Sequence, residues 1–195
     1  MARLRMLSIK ELEERGVDVS PFLGEFAELP GSVATLGYRP DILQAVMGMW
    51  GAIMGAGSLP GELKFMAGYM ASVAAGCRYC SAHTATRAHE SGAGAGKLAA
   101  LATYETSPLF TYAERAALRF AQLAGMSPSG VEDQDMAELQ RHYSEPEIVE
   151  LLSVISLYGF FNRWNDSLAT PLEATPRGFA ESNLSQQGWE IGAHG

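Results

Sequence analysis

Cysteine and histidine are scarce in this chain, with two of one and four of the other in 195 residues. A disulfide-stapled scaffold is therefore a poor reading, since such folds carry several pairs. Cationic charge is also short. Fourteen Lys and Arg stand against 22 Asp and Glu, for a net charge of −8. That balance argues against nucleic acid or an anionic membrane surface as a partner. Every apolar run is broken by Gly, Lys or Arg before it reaches the length of a membrane span. The opening stretch, MARLRMLSIKELEERG, is charged within a few residues and has no apolar core of signal-peptide length, so a cytoplasmic protein is expected. Alternating β-branched runs and Asn-Gly or Asp-Gly hairpin turns are missing too. What is present is 47% hydrophobic and 18% charged, the balance of a globular chain long enough for one domain with a core.

The helical period recurs along the chain. SIKELEERG opens with a capping box, Ser8 and Glu11, and stops at Gly16. SPFLGEFAEL is a short helical candidate, and a longer helix starts near Pro40 and Asp41 and ends at the glycines of 55–57. In ELKFMAGYMASVAAG, Leu63, Met66, Ala67, Met70, Val73 and Ala74 line one face until Gly76 interrupts. CRYCSAHTATRAHES follows as a further helix, ended by GAGAG. KLAALATYE is short, YAERAALRFAQLAG strongly helical, and VEDQDMAELQRHY a charged helix with Asp133, Asp135, Glu138 and Arg141 on a solvated face. The longest apolar helix begins at Glu145 with Pro146 in its first turn and turns Ile148, Leu151, Leu152 and Ile155 one way. The expected fold class is all-α, a single-domain helical bundle over 1–170 with the cysteine-bearing core near 60–125. From Pro171 the chain is rich in Gly, Ser, Gln and Pro, and 171–195 is expected as an extended C-terminal tail. Abundant Ala and Gly permit close helix–helix approach, within and between subunits.

Both cysteines and two of the four histidines fall in GCRYCSAHTATRAHESG, residues 76–92. On a helix Cys77, Cys80 and His83 are three apart and form a column on one face. A thiolate is a nucleophile, a second thiol in reach can resolve its oxidised product as a disulfide, and an imidazole beside them can carry the proton. The break at Gly76 sets both cysteines in the first turns of their helix, where the dipole favours a thiolate, and Cys77 is expected to be the more activated. Two other readings compete: buried packing of small apolar side chains, and a zinc site made by Cys77, Cys80, His83 and His89. Four ligands strung along one helix surround a tetrahedral ion poorly. A thioredoxin-like site needs a preceding strand, and here a helix precedes.

AGCRYCSAHTATRAHESG, preceded by ELKFMAGYMASVA and followed by FTYAERAALRFAQLAG and EIVELLSVISLYGFFNRWNDSLATPLE, resembles the carboxymuconolactone decarboxylase superfamily, and within it the AhpD-like alkylhydroperoxidase branch, over roughly residues 35–175. The resemblance implies an oligomeric all-α fold and a thiol peroxidase that reduces hydroperoxides through a CxxC disulfide cycle. It makes Cys80 the attacking thiol and Cys77 the resolving one, overriding the helix-end argument. It also implies a proton relay of a histidine after the pair and a glutamate on the preceding helix. The external reductant it implies is a dithiol, such as a lipoyl-bearing protein; no cofactor or metal is expected. Two departures stand out. Thr84 holds the place of the family histidine, four residues after the second cysteine, and His83 comes at three. Phe65 holds the place of the relay glutamate, and Glu62, a turn earlier, is the candidate substitute. A decarboxylase or isomerase on the same fold and a non-catalytic redox sensor are the alternatives. Tyr69 and Tyr79 could border a pocket, and Asn162, Trp164 and Asn165 could close it. Met47, Met49, Met54, Met66 and Met70 read as adaptable core packing.

Overall fold

Side-chain capping sets the first helix. In the computed structural model, which describes residues 2–26 and 28–195, Ser8 caps α1 (Ile9–Glu13) and the Glu11 carboxylate accepts the Ser8 backbone N–H at 2.8 Å. Then come α2 (Ser20–Phe26), α3 (Gly31–Leu36), α4 (Pro40–Met54), α5 (Gly61–Ala75), α6 (Arg78–Glu90), α7 (Ala95–Ala99), α8 (Tyr112–Ala124), α9 (Asp133–Gln140), α10 (Glu145–Leu168) and α11 (Ala174–Asn183), with short 3-10 turns and, among the described residues, no strand. The all-α class expected from the sequence is the observed one. α3 is an addition to it: six buried residues, GSVATL, too short for a helical period to register. None of the described helices is long and apolar enough to cross a membrane.

α5 is the axis of the bundle. It is buried almost all round from Leu63 to Ser72, and α6, α8 and α10 pack against it. Small residues set the approach distances. A Cβ on Gly68 would stand 2.5 Å from the Tyr158 ring of α10, and one on Gly125 would stand 2.6 Å from the Ala71 Cα. Lys64 is a charged exception inside this core, 1% exposed. Its ammonium pairs with Glu150 at 2.5 Å and donates to the Ile53 and Gly55 carbonyls at 2.9 Å each. Glu150 also accepts the Ser58 and Leu59 N–H groups. The cluster ties the end of α4 to α5 and α10.

The structure corrects four expectations about the fold. Asp135 is buried, not solvated, because Arg119 pairs with it at 2.8 Å. Leu152 is 42% exposed, rotated off the face that buries Ile148, Leu151 and Ile155. Met49 is exposed, while Met66 and Met70 are core. The segment 171–195 is not an extended tail: it forms α11 and two 3-10 turns, and α11 and the last turn lie on α6. Pro176 and Gly178 make α11 a poor helix by propensity. Burial of Leu172, Ala180, Leu184 and Trp189 holds it in place, and the Trp189 indole N–H donates to the Arg78 carbonyl and the Ser81 hydroxyl at 3.2 Å each.

Candidate active site

Gly76 takes a left-handed turn at φ 81°, which ends α5 and starts α6 one residue later. Cys77 is thereby the N-cap of α6, just outside its first turn, and its sulfur accepts the Cys80 backbone N–H at 3.3 Å. The expectation that Cys77 is the more activated thiol does not hold. Cys77 is fully buried. Its hydrogen bond with the Cys80 side chain, then burial, then the Cys80 charge push the thiol far above its ordinary range, against the pull of the Cys80 N–H. At this N-cap the Cys80 side chain and desolvation together outweigh the stabilising backbone donor. Both thiols are unbonded to each other.

Cys80 faces a pocket. About 570 Å³ of space, part of it open to solvent, lies between α3, α4, α6 and α10. Val33, Leu36, Met47, Trp50, Tyr158 and Phe161 make it apolar, and Trp50 meets Tyr158 and Phe161 edge-on at 6.0 and 5.8 Å. Polar side chains also reach it, among them Ser32, Tyr79, Cys80, His83, Arg87 and Asn165. The Asn165 amide donates to the Cys80 sulfur at 3.5 Å and to the Phe161 carbonyl at 3.0 Å. Its buried Oδ1 has no hydrogen-bond partner among the described residues.

His83 turns toward α11. Its Nε2 lies 2.7 Å from Glu173 Oε2, and its ring rests on Tyr79 with centroids 4.5 Å apart. Glu173 is the N-cap residue of α11, and its other oxygen accepts the Tyr79 hydroxyl at 2.7 Å and the Gly31 N–H at 2.6 Å. Burial works to raise this carboxyl. The bond to His83 and its charge, then the Gly31 and Tyr79 donors, outweigh burial and hold it below the usual carboxylate range. With Nε2–H given to Glu173, the neutral ring keeps its lone pair on Nδ1.

Cys80 and His83 both line the pocket and Cys77 contacts Cys80, whereas Glu62 lies elsewhere. Glu62 stands in the first turn of α5 with Lys97 at 3.9 Å and does not line the pocket. Thr84 packs against the α5–α10 crossing, its methyl near Gly68, with its hydroxyl returned to the Cys80 carbonyl at 2.7 Å. Position three, not four, is the one that opens on the pocket here. Glu173 was missed from sequence because 90 residues separate it from His83 and no spacing rule links them. Trp164 donates to Thr35 at 2.9 Å, outside the pocket lining.

The four-ligand zinc arrangement is not assembled. His83 is engaged by Glu173, and His89 contacts the Ala93 carbonyl at 3.2 Å with its ring against Phe179. Cys77 has neighbours of its own in Asp166 and His194. Both nitrogens of that imidazole are already taken, one by the Thr170 carbonyl and one by Asp166.

The carboxymuconolactone decarboxylase family profile matches residues 40–123. The debrominase Bmp8 in its apo form is 31% identical, covering 90% of this chain and 95% of that one, with a TM-score of 0.84. A cysteine-to-alanine variant of Bmp8 in complex with 2,3,4-tribromopyrrole gives 0.85 at 29% identity, over 93% and 99% of the two chains. An uncharacterized peroxidase-related protein from Ralstonia eutropha JMP134, described as an alkylhydroperoxidase AhpD core, shares the fold at 18% identity, with a TM-score of 0.76 over 92% and 95%. The uncharacterized protein YnjA of Escherichia coli (strain K12) is 31% identical over 101 residues, 52% of this chain. The match spans 56% of that curated relative's length.

Proposed function

We propose that this chain, whose residues 40–123 match the carboxymuconolactone decarboxylase family, is an AhpD-like cysteine-pair peroxidase for apolar hydroperoxides. The observation that carries the reading is the unequal placement of the two thiols. Cys80 opens on an apolar pocket beside His83 and Asn165, while Cys77 is sealed behind it. His83 Nδ1 takes the Cys80 proton, and the Glu173 carboxylate steadies the resulting imidazolium. The thiolate attacks the terminal peroxide oxygen, the O–O bond breaks, and the leaving alkoxide takes the proton back from His83. Cys80 is left as a sulfenic acid. The unpartnered Asn165 Oδ1 accepts the hydroperoxide O–H and orients it. Cys77 then displaces water to close the disulfide, and an external dithiol, of lipoyl type, reopens it. Here Glu173 takes the carboxylate role expected of Glu62. Association of copies is part of the proposal, since Ile42, Met49, Val149 and Leu152 leave apolar surface exposed.

A second reading is favoured by the likeness to Bmp8 and by the aromatic wall of Trp50, Tyr158 and Phe161. In it the Cys80 thiolate takes bromine from a brominated aromatic, the ring carbon gains a proton, and Cys77 displaces bromide from the sulfenyl bromide. The same two-electron logic serves both substrates. Purified reduced protein is assayed with dihydrolipoamide against cumene hydroperoxide and, separately, a polybrominated pyrrole with bromide release as readout. Hydroperoxide loss that vanishes in Cys80→Ser supports the first reading. Bromide release without hydroperoxide loss replaces it with the second.

A further inference from the structure

Cys77 faces an imidazole and a carboxylate that play no part in the chemistry at Cys80. Its sulfur, a carboxylate oxygen of Asp166 on α10 and a ring nitrogen of His194 lie within 4.8 Å of one another. His194 is buried and its ring is held on both sides: Nδ1 at 2.8 Å from the Thr170 carbonyl and Nε2 at 3.1 Å from Asp166 Oδ1. A carbonyl only accepts, so Nδ1 carries a proton. An ionised carboxylate only accepts as well, so the Nε2–Oδ1 contact holds a second proton. The backbone fixes the ring's place, with the Leu172 N–H donating to the His194 carbonyl at 2.9 Å. Asp166 is the outlet: its side chain is 40% exposed, whereas Cys77 is at 0%. The other ionisable groups around them are Cys80, Tyr79 with its ring 5.8 Å from that of His194, and Arg3, which donates to the Asp166 and Ser167 carbonyls at 3.1 Å.

We propose that Asp166 and His194 are the proton-handling pair of Cys77, separate from the His83–Glu173 pair that serves Cys80. The proposal rests on the reading that Cys77 resolves the product formed on Cys80. In that step the Cys77 thiol gives its proton to the Asp166 carboxylate. The sulfur electron pair forms the S–S bond as the Cys80 S–O bond breaks. Hydroxide leaves into the pocket and is balanced, as one water, by the proton that Asp166 passes to solvent. Negative charge moves from carboxylate to sulfur, and the proton held in the His194 Nε2–Asp166 Oδ1 contact stays beside both. With bromide as the leaving group the same proton appears with it. Both His194 nitrogens being occupied, the ring has no lone pair for a cation.

The test needs neither peroxide nor halide. Reduced full-length protein is mixed with 4,4′-dithiodipyridine and thiopyridone release is followed. The first equivalent reports Cys80, and the second reports Cys77 closing the disulfide; Cys77→Ser stops at one and assigns the phases. In the wild type the second phase is nearly flat between about pH 6 and 8, because Asp166 takes the proton. In Asp166→Asn the ratio of second to first rate falls about tenfold at neutral pH, and the second rate climbs about tenfold per pH unit, because hydroxide must now take the proton. His194→Gln, an independent change, lowers the ratio likewise. A wild-type ratio and pH profile in both variants would overturn the proposal. So would one equivalent of zinc retained by the wild type and lost in His194→Gln, since the triad would then be a ligand set. Unconsumed hydroperoxide and bromopyrrole, with the Asp166→Asn effect intact, would sink the substrate readings and support the pair.

Discussion

Replacing Glu173 by Gln keeps the shape of the side chain and removes one function. The carboxylate accepts three donors: the Gly31 N–H at 2.6 Å, the Tyr79 hydroxyl at 2.7 Å and His83 Nε2 at 2.7 Å. A glutamine oxygen can keep the first two. Its amide nitrogen then faces His83 as a donor, so the ring must present its Nε2 lone pair and carry its proton on Nδ1, where it can no longer take one from Cys80. The lost interaction is a charged hydrogen bond with its side chains 18% and 11% exposed, for which about 1.5–3 kcal/mol is the expected scale. If that energy stabilises the proton transfer, the oxidation of Cys80 slows by roughly 10- to 150-fold. Stopped-flow rates of Cys80 oxidation by cumene hydroperoxide measure it, with thermal unfolding alongside, because Glu173 also joins α11 to α3 and α6. The Glu173 carboxyl is held below its unfolded range, so its stabilisation is present above the unfolded value and fades as pH falls through the folded one. Wild type and variant should therefore converge in stability in acid. A folded Glu173→Gln protein that oxidises Cys80 at the wild-type rate would refute the role of Glu173.

Lys64→Met strands Glu150, 16% exposed, without its cation, and should cost about 3–5 kcal/mol in urea unfolding; adding Glu150→Gln should recover part of it. Gly68→Ala puts a methyl 2.5 Å from Tyr158, so the expected loss is about 1–3 kcal/mol together with weaker binding of bulky substrates, because Tyr158 also lines the pocket. Gly76→Ala at φ 81° should cost about 1 kcal/mol and slow both thiols together, since it moves the start of α6.

Cys77, Cys80 and His83 were legible as candidates because their three-residue spacing runs along the start of α6, with Cys77 as its N-cap and Cys80 and His83 within it. The partners of those residues were not. Glu173 meets His83, Asn165 meets Cys80, and Asp166 and His194 meet Cys77 only after α10 and α11 fold onto α6. α11 itself holds Pro176 and Gly178, both poor helix formers, so tertiary burial and not local preference makes it a helix. Glu62 was attractive for the opposite reason: it sits at a plausible spacing, and spacing does not say that its carboxylate turns toward Lys97. Lys64 hides in the same way among apolar neighbours, where the pattern alone reads as continuous core.

The central claim is that Cys80 is struck first and Cys77 resolves it. The direct measurement is intact-mass analysis of Cys77→Ser and Cys80→Ser proteins treated with one equivalent of cumene hydroperoxide in the presence of dimedone. The account predicts a dimedone adduct on Cys80 in Cys77→Ser and none in Cys80→Ser. An adduct on Cys77 in Cys80→Ser, with Cys80 unmodified in Cys77→Ser, would contradict it.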